Sequence, residues 1–170
     1  PTVKAALYAL WYPGLCGSVV FNIRAGVYAE ENTLTTLQYA PDDYDIVFQS
    51  ESGNPADVVL TTPPGSIYPT LVLDGIKHVT IQNLTLKSSG GDQNRPLVIK
   101  NGASDIQVLN NVLVGAQINS TGDVFAVVNV NGPGCSQLVF KNNIFRYGSA
   151  GLLLGATLAA PGTGNRVEGN

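Results

Sequence analysis

Three segments of this 170-residue chain align without gaps: Val79–Leu86, Ile106–Leu113 and Leu138–Phe145. Asn165–Asn170 starts a fourth copy, and Val19–Ile23 and Ile46–Ser50 fit the same slot. The central apolar residues are then Phe21, Phe48, Ile81, Val108, Phe140 and Val167, separated by 27, 33, 27, 32 and 27 residues. Short strand-like units recurring at such a period cannot bury their own apolar faces. They must stack, each on the next.

A second series precedes the later copies. Thr70–Leu73 runs into Asp74-Gly75, Leu97–Lys100 into Asn101-Gly102, and Val127–Val130 into Asn131-Gly132, with Gly151–Gly155 a looser relative. Asp-Gly and Asn-Gly tolerate positive φ, so each pair marks a corner. Every repeat thus reads as strand, corner, second strand, Asn-bearing bend, third strand and variable loop. Asn83, Asn110 and Asn142 occupy the bend in three successive repeats. Asn suits the left-handed conformation and its amide can bond along a stack, so these three are expected to form a ladder. The linkers are rich in Gly, Pro, Ser and Asn, where an α/β sheet would need amphipathic helices. The expected fold is all-β: a parallel β-helix of 27 to 33 residues per coil, with coils about 4.8 Å apart.

The first residues differ. Val3, Ala6, Leu7 and Leu10 fall at helical spacing behind Pro1-Thr2, which suits a short helix. Residues 1–15 are expected to hold this capping helix and a lead-in, and residues 16–170 the coils. A helix there covers core and strand edge that an open coil end would expose. The chain opens at Pro1 without a Met, and its fourth copy breaks off at Asn170. The coils are therefore expected to continue in a longer polypeptide.

Composition closes several functional classes. Only 12% of residues are charged and 44% are apolar, against the balance that keeps chains disordered. Twelve acidic and nine basic residues give a net charge of −3, so a basic nucleic-acid face is not expected. No apolar run reaches the length of about 18 residues that a membrane span needs. Cys16, Cys135 and the single His78 fit no zinc spacing, and no cofactor or metal is expected. Four stacking steps separate the coils of the two cysteines, about 19 Å, whereas a disulfide needs Cα atoms within about 7 Å. Both are expected to be small buried thiols.

The three-strand coil with its Asn bend resembles the right-handed parallel β-helix of the pectin-lyase-like superfamily. Cys16–Glu30 and Val47–Leu60 are similar to a narrower group of large modular bacterial surface proteins, often exported by type IX secretion. The resemblance implies a secreted or cell-surface location and a polysaccharide or cell-surface glycan as partner. Pectate lyases, polygalacturonases and pectin methylesterases share the fold, and one fold hosting several activities cannot choose among them.

The residues argue against catalysis. Gly26-Val27-Tyr28-Ala29-Glu30 resembles the Gly-x-Tyr-x-Glu opening of pectin methylesterases, yet the same residues suit a corner, a packed ring and a solvated edge. Paired aspartates, a close carboxylate set, or a base with calcium ligands would be needed for the chemistry of the resembled enzymes. By resemblance these groups project from the strand before the first corner. Here those strands, Thr70–Leu73, Leu97–Lys100, Val127–Val130 and Leu152–Leu154, offer Lys100 as their sole ionisable residue. Asp42, Asp43 and Asp45 read as a solvated turn, and Asp105 as a residue bonding local backbone. His78 has no nucleophile or metal partner in register. Asp92, Arg95 and Asp123 fall in variable loops, where ligand contacts occur. Trp11, Tyr12, Tyr28, Tyr39, Tyr44, Tyr68 and Tyr147 are candidate sugar platforms, but share no repeat position and are expected mainly to pack.

The sequence assigns no residue a catalytic or metal-binding role, and the ligand-binding residues stay open. The expected function is a non-catalytic segment of a large secreted or surface protein, a stalk or adhesin that contacts polysaccharide. Two alternatives stand beside it: a polysaccharide-active enzyme whose catalytic coil lies outside these residues, and a filament former self-associating through coil ends. The inward register has a direct check. Phe140→Ala is expected to lower unfolding stability by about 3–5 kcal/mol as a core truncation, read from denaturant midpoints. A near-neutral result would remove Phe140 from the interior.

Overall fold

Every third strand joins the same sheet, and all pairing is parallel. The computed structural model describes residues 2–11, 14–41, 43–89, 95–117, 119, 121–155 and 161–170. Among them the first sheet contains β1 (Val19–Ile23), β4 (Ile46–Ser50), β7 (Lys77–Gln82), β10 (Ser104–Leu109), β13 (Ser136–Lys141) and β16 (Arg166–Glu168). The second contains β2 (Gly26–Ala29), β5 (Val58–Thr61), β8 (Thr85–Lys87), β11 (Val112–Val114) and β14 (Ile144–Arg146). In the third are β3 (Asn32–Thr35), β6 (Leu71–Asp74), β9 (Leu97–Lys100), β12 (Val128–Asn131) and β15 (Leu152–Leu154). Helix α1 spans Val3–Trp11. No helix among the described residues is long and apolar enough to cross a membrane.

The register of the first sheet runs Phe21, Phe48, Ile81, Val108, Phe140, Val167, the same column the sequence repeat defines. Its middle members are buried, and the rings of Phe21 and Phe48 stack with centroids 4.9 Å apart. Leu60, Leu86 and Leu113 from the second sheet and Leu73, Ile99 and Val130 from the third complete one continuous apolar interior. Three sheets around a single core explain why strands of three to six residues suffice.

Positive φ shapes the corners. Gly75 (φ 65°), Asn101 (56°) and Gly132 (110°) turn the chain from the third sheet into the first. Ile76, Ala103 and Cys135 follow them and fill one buried inner corner. Cys135 is therefore a small buried thiol as expected, but Cys16 is exposed, and neither is in a disulfide.

The bend differs from expectation by one residue. Asn83, Asn110 and Asn142 are left-handed, at φ 55°, 55° and 54°, and Gly169 takes the slot in the next repeat at 61°. A left-handed residue interrupts strand alternation, so its own side chain points outward and the following one points in. Of the expected ladder, one outer rung is hydrogen-bonded, Asn142 Nδ2 to Asn110 Oδ1 at 3.3 Å. The buried ladder is the next column. Asn111 Nδ2 donates to Asn143 Oδ1 at 3.2 Å, and Asn143 Nδ2 to Asn170 Oδ1 at 2.8 Å. Each of these amides also donates to a strand carbonyl, those of Ile81, Val108 and Phe140, at 2.8 Å. Leu84 ends the column, its backbone N–H donating to Asn111 Oδ1 at 3.0 Å.

A second amide chain runs outside. Gln82 Nε2 donates to Gln49 Oε1 at 2.6 Å, and Gln49 Nε2 to Asn22 Oδ1 at 2.7 Å.

Helix α1 lies against β3 and sinks Val3, Leu7 and Leu10 into the core. Thr2 Oγ1 accepts the Ala5 N–H at 3.0 Å, a serviceable N-cap. Glu30 Oε2 accepts the Lys4 N–H at 2.8 Å and places a carboxylate at the positive end of the helix. The glutamate of the Gly-x-Tyr-x-Glu segment thus fastens a lid.

The ladder makes a graded prediction. Asn143→Ala strips a donor from the Val108 carbonyl and an acceptor from the Asn111 amide and backbone N–H, all buried. Unfolding stability should fall by about 2–4 kcal/mol, since each stranded group costs about 1–3 kcal/mol. The exposed Asn142→Ala should cost less. Equal losses in denaturant titrations would contradict the inner position of the ladder.

Candidate ligand-contact site

On α1 the buried residues Val3, Leu7 and Leu10 leave Lys4, Tyr8 and Trp11, at i, i+4 and i+7, on the adjoining stripe. This stripe forms one wall of a cleft of about 370 Å³, whose other residues are Leu7, Glu31, Thr33, Leu34 and Thr35. Trp11 is 60% exposed and Tyr8 59%. The opposite wall is β3, where alternation turns Leu34 into the core and leaves Thr33 outward. Leu7 and Leu34, both buried, form the floor. Ser66 Oγ donates to Glu31 Oε1 at 2.7 Å and fixes that carboxylate from the neighbouring loop. Two aromatic faces, hydroxyls, one carboxylate and one ammonium therefore share a concave surface, at a volume typical of small-ligand sites.

Of the aromatic residues expected mainly to pack, Trp11, Tyr39, Tyr68 and Tyr147 are instead exposed, whereas Tyr28 and Tyr44 do pack against the core. Tyr28 also donates its hydroxyl to the Arg24 carbonyl at 2.9 Å. Tyr147, left-handed at φ 60°, borders two shallow depressions that also involve Gln117. Tyr12, Asp42 and Asp92 lie outside the described residues. Tyr8, Glu31, Thr33 and Thr35 carry no motif, but the Lys4–Tyr8–Trp11 spacing was a readable signal for Tyr8.

Of the four strands that correspond to the reaction wall of the resembled enzymes, three turn a buried face outward, whereas β15 is partly exposed. Val72, Val98 and Asn129, on the outer face of β6, β9 and β12, are buried. β6 runs one residue further than expected, so Asp74 joins Lys100 there. Asp74 pairs with Lys100 at 3.1 Å and accepts the Asn101 amide at 2.7 Å, an arrangement that ties two corners together. In the variable loops, Arg95 Nε donates to the Val124 carbonyl at 3.0 Å and so joins one loop to the next. Burial pushes the Arg95 guanidinium below its ordinary range, with Asp123 acting the other way.

His78 is partly buried beside a carboxylate. Its Nδ1 lies 2.7 Å from Asp105 Oδ2, and the Tyr44 ring meets it edge-on at 5.5 Å. Asp105 therefore bonds a side chain of the neighbouring repeat, where local backbone was expected. His78 (φ 57°), Asp105 (52°) and Gln137 (55°) form a left-handed column at the entrance to the first sheet. This bulge turns their side chains outward, and the sequence gives no Gly or Asn to mark it. Among the described residues no group of three or more His, Cys, Asp or Glu could hold a metal ion.

No protein-family model matches the chain, and searches of curated proteins and of solved structures find no similar protein.

The cluster around His78 predicts an alkaline effect. Burial raises the Tyr44 phenol above its ordinary 10.0, partly offset by a hydrogen bond from the Lys77 backbone. The fold therefore favours the neutral phenol. That contribution is present in full below 10.0 and is lost as pH climbs through the raised value. Melting temperatures of the parent and Tyr44→Phe chains should run parallel below 10.0 and separate above it, the parent falling faster. Parallel curves throughout would place Tyr44 in ordinary solvent.

Proposed function

We propose that this chain is a stretch of right-handed parallel β-helix, of the pectin-lyase-like kind, in a large secreted or surface-attached bacterial protein. It acts without catalysis, as a stalk or adhesin that contacts polysaccharide. The observation that carries this reading is the unbroken column register across all three sheets, the pairing a stacked solenoid requires. Such stacking resists bending and presents its loops and end surfaces at fixed spacing. Exposed Trp and Tyr rings on that frame are suited to the apolar face of a sugar ring.

One observation favours the enzyme reading, in which the segment belongs to a polysaccharide-active protein: His78 Nδ1 and Asp105 Oδ2 lie within hydrogen-bond distance, at 2.7 Å. A single experiment separates the two. The chain is incubated with immobilised polysaccharides, including pectins, with and without calcium; retention is measured, and soluble products are analysed by mass spectrometry. Retention by at least one polysaccharide without shortened, unsaturated or demethylated sugars is the expected result. Any such product would establish catalysis, and failure of every polysaccharide to retain the chain would remove the adhesin reading.

A further inference from the structure

Resting on the polysaccharide-contact reading, we propose that the cleft between α1 and β3 is the sugar site, and that it takes an uncharged hexopyranose unit in preference to a uronate. Trp11 and Tyr8 stand one helical turn apart on α1, are both more than half exposed, and both line this cleft. Two large aromatic side chains left in water beside a buried apolar floor form a surface that gains by being covered. A pyranose covers it with C–H groups while keeping its hydroxyls at the rim.

The rim supplies partners of both kinds. Glu31 accepts hydrogen bonds, Lys4 donates them, and the hydroxyls of Thr33 and Thr35 do either. Glu31 is already oriented by Ser66 Oγ, so its second oxygen meets a ligand hydroxyl with little further ordering. Charge then sets the preference. The cleft has one carboxylate and one ammonium, and among the described residues neither forms an ion pair. A uronate carboxylate that gains Lys4 must face Glu31, and an amino sugar that gains Glu31 must face Lys4. An uncharged ring uses both groups as hydrogen-bond partners and opposes neither. Discrimination of this kind depends on the repulsive element as much as on the attractive one.

Trp11 is the only tryptophan in the chain, so intrinsic tryptophan emission reports this cleft alone. The test titrates the whole chain with uncharged β-linked gluco-, manno- and xylo-oligosaccharides, and with an oligogalacturonate of matched length. At least one uncharged gluco- or manno-oligosaccharide should change Trp11 emission saturably, with an affinity that rising salt leaves nearly unchanged. Tyr8→Ala should weaken that binding about tenfold or more, the equivalent of about 1.4 kcal/mol, while circular dichroism and melting stay close to the parent. Glu31→Gln should raise the affinity for oligogalacturonate by removing the opposing charge. Unchanged emission with every uncharged sugar, in a chain that polysaccharide still retains, would overturn the cleft and leave the wider reading intact. Loss of retention as well would end both. Saturable binding of oligogalacturonate alone would overturn the charge argument.

Discussion

Parallel pairing between strands that lie 24 to 39 residues apart is the constraint on which everything else rests. A strand of three residues such as Val112–Val114 has no stability of its own. Its backbone groups are satisfied by β8 on one side and β14 on the other. Because pairing preserves register, like residues fall above like: Leu86 on Leu113, Ile99 beside Val130, Gln82 over Gln49. A core that forms this way is a set of columns, and its continuity depends on each repeat keeping its phase.

Phase is kept at the corners, where the chain spends its unusual conformations. Left-handed Asn and Gly residues recur at the bend and at the turn into the first sheet, and a third such column contains His78, Asp105 and Gln137. The turn from the third sheet into the first lengthens by one residue at each of two successive repeats, from Gly75-Ile76 to Asn101–Ala103 to the four residues Gly132–Cys135. An inward apolar residue nevertheless lands at the same place each time. Length variation is absorbed outside the core, so the loops can diversify without disturbing the columns.

The repeat, the parallel sheets, the corner pairs and the N-terminal helix were legible in the sequence, because each rests on local patterning: apolar spacing, Asn-Gly and Asp-Gly pairs, an i/i+4 stripe. Less was legible where one residue reverses alternation. Asn142 and Asn143 are chemically identical in the sequence, and only the positive φ of the first decides that the second turns inward. Likewise nothing in Lys77-His78 announces a left-handed residue, so the contact with Asp105, one repeat away, was invisible. The candidate cleft was half legible. Trp11 stood out by type, whereas Glu31 and the threonines of β3 join it only once the helix folds back over the first strands.

The inner amide ladder has a mechanical meaning. Asn111 and Asn143 each take their hydrogen bonds from two neighbouring repeats, and Asn170 bonds back to the repeat before it, so removing one layer leaves unsatisfied groups in the layers next to it. The column of Leu84 and the ladder thus divides the stack in two: before Leu84 the layers are tied at this corner by backbone bonds and by the outer Gln82–Gln49–Asn22 chain, and after it buried amides add bonds from inside the core. An outer amide competes with water for its partner, whereas a buried one has no other partner to take. Under a pulling force along the stack, the laddered layers should therefore resist relative sliding more strongly than those before Leu84.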